Sequence, residues 1–176
     1  MLYFLPWPIK GILSLLLYVI NTVLLTIPLI ILSAFKFLIP VHSVVVFLDR
    51  LLIGIATTWI EINSLNTKLF CKIEWEVTGL EKLKQKEWYL VISNHQSWVD
   101  IVALQTVLNR KIPMLKFFLK KELIWVPFLG LAWWALDFPF MKRYSKAELQ
   151  KKPHLKGKDL ESTKKACEKF KHTPVS

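Results

Sequence analysis

Residues 11–35 run without a single charged side chain. About 20 apolar residues suffice to cross a bilayer core, so this stretch predicts a membrane helix, with Pro28 placed to kink it. A lone lysine ahead of it, a run too long for a signal h-region and the lack of a small-residue cleavage site argue against a cleaved leader. The next apolar stretch, 37–62, is broken by Asp49 and Arg50. It predicts either a second span that completes a hairpin or a helix lying in the membrane interface. Beyond residue 66 the period changes. Residues 70–77 alternate apolar and polar, the pattern of a half-buried strand, and Thr78-Gly79 ends it. Residues 88–92 are aromatic and β-branched and predict another strand. After it Trp98, Ile101, Val102, Gln105 and Leu108 recur at helical spacing as far as Asn109. Residues 112–118 open as a further strand, and 120–123 start a helix that Pro127 and Gly130 interrupt. Residues 131–136 continue apolar, and residues 158–171 predict a last helix with Leu160, Thr163, Cys167 and Phe170 on one face. This order is that of an α/β protein: an N-terminal membrane helix or hairpin over residues 1–66, then an αβ domain over residues 67–176.

Composition sharpens the first part of that reading. Of 176 residues, 53% are hydrophobic and 13% aromatic; an ordinary soluble domain is less apolar. The net charge of +11 is uneven: residues 1–66 hold three basic and two acidic side chains, residues 110–171 sixteen and six. A basic face of this kind calls for anionic partners, namely phospholipid head groups, the phosphates of coenzyme A, or nucleic acid. No nucleic-acid motif accompanies the charge, so nucleic acid is not expected. By the positive-inside tendency the basic domain is expected on the cytoplasmic side of the membrane. Cys71 and Cys167 form no CxxC and suggest a reducing compartment. His42, His95, His154 and His172 are scattered without ligand spacing, and no metal is expected.

The chemistry concentrates between the 88–92 strand and the helix after it. His95 falls in the turn Ser93-Asn94-His95-Gln96-Ser97, close to a helix N-terminus whose free N–H groups favour anions. Asp100 falls in the first helical turn. A turn that folds back lets Asp100 bond one ring nitrogen of His95, leaving the other free to take a proton from a substrate hydroxyl. Ser97-Trp98-Val99-Asp100 also has the spacing of a capping box, in which Asp100 only holds a helix end. Ser97 lacks the flanking glycines of a nucleophile elbow.

Asn94-His95-Gln96-Ser97-Trp98-Val99-Asp100 resembles the N-H-x-x-x-x-D block of the glycerolipid acyltransferases, the family of 1-acylglycerol-3-phosphate acyltransferases. The run from Lys120 to Gly130 is similar to a second block of that family, in the right order. The resemblance implies that His95 is the general base for a lysophospholipid hydroxyl and that Asp100 orients it. The acyl donor would be acyl-coenzyme A or acyl carrier protein, entering as a substrate, with no bound cofactor and no acyl-enzyme. The partners implied are membrane phospholipids, the lysophospholipid acceptor and the acyl donor. Asp137-Phe138-Pro139-Phe140-Met141-Lys142-Arg143 aligns with the family's G-x-x-F-I-D-R block, so Arg143, with Lys142, would contact the acceptor phosphate. Asp137 stands for the glycine and Lys142 for the acid, which looks more like the divergent lysocardiolipin-type branch. Trp133 and Trp134 are read either as a hydrophobic wall for lipid or as core. The family's E-G-T-R block would follow Ser176, so the resemblance implies a truncated or interrupted acyltransferase with weak or no activity of its own. The rival reading is an inactive membrane protein whose basic face binds anionic lipid.

Overall fold

The computed structural model describes residues 2–142, 144, 146–152 and 157–170. Two long helices come first, α1 (Trp7–Leu38) and α2 (His42–Phe70). Prolines at the entry of α1 supply pre-set helical φ where no N–H partner is needed. Only Ile39, Pro40 and Val41 separate the helices, so they fold back as an antiparallel hairpin. Both are long and apolar enough to cross a membrane. From His42 onward the 37–62 stretch is thus a full helix that runs on to Phe70 despite Asp49 and Arg50.

The seam between the helices is partly polar. Its buried positions include Asn21, Thr26, Ser33, Asn63 and Asn66 alongside Leu29, Leu48, Leu52, Ala56, Ile60 and Phe70, whereas Ile12, Leu15, Leu16, Val19, Leu24 and Ile31 are exposed. Asn21 Nδ2 donates to Asn63 Oδ1 at 2.7 Å, the Tyr18 hydroxyl meets Thr67 Oγ1 at 2.6 Å, and Trp59 Nε1 donates to Thr22 Oγ1 at 3.1 Å. Water disfavours so much exposed aliphatic surface beside buried polar side chains. Lipid favours it, because helices in hydrocarbon gain nothing by hiding leucine and associate through small and polar contacts.

A short βαβ unit follows: β1 (Leu119–Lys120), a 3-10 turn (Lys121–Trp125), α4 (Leu129–Ala135) and β2 (Phe140–Met141). The strands pair parallel, Leu119 opposite Phe140 and Lys120 opposite Met141. Before it lie a 3-10 turn (Leu80–Lys82) and α3 (Trp98–Leu108); after it come α5 (Lys146–Lys151) and α6 (Lys158–Lys169). The α/β expectation therefore holds only in small part: the described fold is mostly helical. Residues 71–79 and 88–95 contain no strand. Ile73, Trp75 and Val77, the apolar positions of the first predicted strand, are all exposed, and Leu90 and Ile92 each are 84% exposed. Alternation prepares a strand for a sheet, but a ladder needs a neighbour, and among the described residues neither segment has one. The helix expected from residue 120 is likewise a 3-10 turn, ended by Pro127 and the left-handed Phe128 before α4 begins.

One core joins the hairpin to the rest. Leu29, Leu52 and Ala56 pack with Leu119, Ala132, Leu136 and Phe138. Around that cluster, α3 is tied to α2 by Ser64 Oγ and Thr106 Oγ1 at 2.9 Å, and Asn109 Nδ2 donates to the Thr57 carbonyl at 3.2 Å. Arg110 Nε also meets Glu61 Oε1 at 2.6 Å.

Candidate active site

The chain runs from Trp88 into the turn without regular secondary structure, and Trp88 Nε1 pins it by donating to the Phe170 carbonyl at 3.0 Å. Ser97 adopts extended dihedrals and becomes the N-cap of α3; its Oγ accepts from Val99 N at 3.2 Å. Asp100, in the first turn, points back over the cap. Its Oδ2 accepts from Gln96 N at 2.6 Å and from Ser97 N at 2.7 Å. The capping box is therefore formed.

The same oxygen faces His95. Nδ1 of the imidazole lies 3.6 Å from Asp100 Oδ2. That is charge-contact range, longer than a hydrogen bond, so one carboxylate both caps the helix and lies against the ring. Nε2, on the opposite side of the ring, has no hydrogen-bond partner among the described residues. The His95 side chain is 60% exposed, open to an incoming hydroxyl. The amides of Ser97 and then Gln96, with the charge of His95 adding less, hold the Asp100 carboxyl below its usual range. The positive end of the α3 dipole acts in the same direction. Asp100 thus stays ionised, the state that can steady a ring as it gains a proton.

Lys142 follows β2, exposed, with Nζ 5.3 Å from the centre of the Tyr144 ring. It therefore sits at the carboxyl end of a parallel strand, the edge where α/β proteins gather ligands. Arg143 lies outside the described residues. The structure thus joins His95 to Asp100, and it places Lys142 at a different element. Trp133 packs against the shared core, and Trp134 is 53% exposed. Among the described residues no three His, Cys, Asp or Glu side chains group as a metal site would need.

One group of charges was not anticipated. Lys36, near the end of α1, reaches Asp49 Oδ1 of α2 at 2.7 Å and Asp137 Oδ2 at 2.5 Å. Asp137 has φ +60°, a left-handed conformation that glycine adopts freely and aspartate tolerates. This is the position where the resembled block has glycine. The available signal was a lone lysine ending an apolar run, followed by an aspartate where the block has glycine.

The sequence profile of the family described as Acyltransferase matches residues 74–170, more than half of the chain and including His95, Asp100 and Lys142. The chain belongs to the acyltransferase family. Relatives within reach of it include the 1-acyl-sn-glycerol-3-phosphate acyltransferase alpha of Mus musculus and that of Homo sapiens, each 35% identical over 80 residues. Those 80 residues are 45% of this chain and 27% of the length of either relative. The 1-acyl-sn-glycerol-3-phosphate acyltransferase alpha of Ovis aries is 34% identical over the same length. The matched stretch therefore spans about a quarter of these curated acyltransferases. No solved structure matches the chain.

Proposed function

We propose that this member of the acyltransferase family transfers a fatty acyl group from a thioester, of coenzyme A or acyl carrier protein, to the free hydroxyl of a lysophospholipid. His95 Nε2 takes the hydroxyl proton while Asp100 steadies the ring from the Nδ1 side. The oxygen so freed attacks the thioester carbonyl and forms the new ester bond. The carbon–sulfur bond breaks, and the departing thiolate recovers the proton from His95, so no acyl-enzyme is formed. No cofactor beyond the acyl donor is called for. Lys142 and Arg143 would meet the acceptor phosphate, Arg143 through its planar fork. The hairpin lies in the membrane, and the His95 face is on the cytoplasmic side, where acyl thioesters are made.

The observation that carries this reading is the approach of His95 to the ionised Asp100 inside the stretch that matches the family. A general base contributes about 100- to 10,000-fold to rate. His95→Ala should therefore cut transfer of a labelled acyl group to 1-acylglycerol-3-phosphate by at least about 100-fold, with membrane attachment intact. Equal rates for the two proteins would sink the reading. The alternative, a lipid-binding protein without turnover, draws on the same carboxylate: Asp100 is already engaged by two amides and stands beyond hydrogen-bond reach of the ring. Under that alternative neither protein turns over, and both still bind anionic vesicles.

A further inference from the structure

Hydrophobic contact is non-directional, and the hairpin shares with the βαβ unit a core of Leu29, Leu52 and Ala56 with Leu119, Ala132, Leu136 and Phe138. Such a contact resists separation better than sliding. Directional restraint comes from Lys36. Its side chain, 18% exposed, bridges α1 to Asp49 of α2 and to Asp137. Asp137 is the hinge between α4 and β2: its N–H donates to the Trp134 carbonyl at 3.0 Å, and Phe138 N donates to the Trp133 carbonyl at 2.9 Å. From there the chain enters β2 directly, Leu119 N donating to the Pro139 carbonyl at 3.0 Å, and β2 delivers Lys142. Where Asp137 is held therefore decides where the basic end of β2 stands relative to the hairpin, and so to the membrane that the hairpin occupies.

We propose that Lys36 is a positioning residue: by clamping Asp137 it fixes the basic end of β2 relative to the apolar hairpin, so that the phosphate of an acceptor lipid is met there. This rests on the acceptor being the phosphate-bearing lipid named above, but not on turnover. The chemistry of the cluster suits the task. A lysine tethered to two carboxylates on different elements is fixed from two sides, and partial burial reduces the screening that weakens exposed pairs. It also accounts for the aspartate: a glycine at residue 137 would serve the left-handed turn equally well but would leave Lys36 only Asp49 to hold, with no tie to the turn before β2.

The test uses the whole chain in phosphatidylcholine vesicles carrying either 1-acylglycerol-3-phosphate or the phosphate-free monoacylglycerol. Wild type, Lys36→Met, Lys36→Arg and Asp137→Asn are compared. The expected result is that Lys36→Met and Asp137→Asn each weaken binding of the phosphate-bearing lipid about tenfold, leave binding of the monoacylglycerol unchanged, and that Lys36→Arg stays within about threefold of wild type. Asp137→Asn keeps a side chain that tolerates the left-handed backbone, so it tests the clamp even where Lys36→Met fails to fold. Undiminished phosphate preference in Asp137→Asn would overturn the proposal, as would equal loss of both lipids in the variants that fold. Acyl transfer is measured in the same vesicles: a wild type that binds but does not turn over would refute the transfer reaction while the binding comparison still judges the clamp.

Discussion

Gly130, the second residue of α4, is the place where one added methyl group should do the most damage. A Cβ built there would overlap the Ile124 carbonyl oxygen and stand 2.6 Å from its carbon, where real Cβ atoms keep at least 3.0 Å. Both partners are backbone, so no rotamer change relieves the overlap. Either the 3-10 turn or the start of α4 must retreat by about 1 Å. Overpacking of this kind costs about 1–3 kcal/mol, and a backbone obstacle places it at the upper end. Alanine returns at most about 1 kcal/mol through its better helix propensity. The net expectation for Gly130→Ala is a loss of about 2 kcal/mol, which in a chain of this size lowers the melting temperature by about 4–8 °C. Gly54, inside α2, supplies the opposite case, since nothing lies within 4 Å of its added Cβ. Gly54→Ala should be neutral or stabilising by up to about 1 kcal/mol. Melting followed by circular dichroism in one detergent compares all three proteins. If Gly130→Ala melts at or above wild type, the close crossing of α4 over residue 124 is not present, and the placement of β1 beside β2 loses its support.

Two further expectations follow from the cap and the seam. Because the folded Asp100 carboxyl is held below its ordinary value of 3.8, its contribution to the cap is complete above that value and disappears as pH falls through the lower, folded one. The Gln96 and Ser97 amide resonances should therefore titrate with a midpoint below 3.8; a midpoint at or above it would show that the two N–H bonds are not made. In the hairpin, Asn21→Leu should destabilise by about 1–2 kcal/mol, as it orphans Asn63 Oδ1 in an apolar setting. Asn66→Leu should cost less, because among the described residues Asn66 Oδ1 has no partner and only the Nδ2 bond to the Ser14 carbonyl is lost; the order is read by unfolding in mixed detergent micelles, and a costlier Asn66→Leu refutes it.

Local signals were the legible ones. The uncharged run ahead of Lys36, the helix from Trp98 and the amphipathic segment from Lys158 each carry their periodicity within themselves, and all three are helices. His95 and Asp100 were legible as a pair for the same reason, being five residues apart across one cap. The strands at 70–77 and 88–92 failed because a strand is a relation between segments, and alternation names only one partner. Lys36 with Asp137 was invisible for a related reason: 101 residues separate them, and nothing local links a helix end to a distant turn. The polar seam lay between these cases. Asn21, Thr22, Asn63 and Thr67 stand out in apolar helices, but their pairing appears only once α2 turns back along α1.

The core that α1 and α2 share with the βαβ unit also imposes an order on synthesis. Leu119, Ala132, Leu136 and Phe138 leave the ribosome long after Leu29, Leu52 and Ala56, and they have nowhere to bury themselves until the hairpin is formed. The hairpin in turn exposes leucine and isoleucine that only lipid will accept. Completion of the later-made unit is thereby conditional on delivery of the earlier one to a bilayer. A chain that misses its membrane is left with an open apolar seam, the kind of surface that chaperones and proteases recognise. Correct location is in this way written into the folding reaction itself.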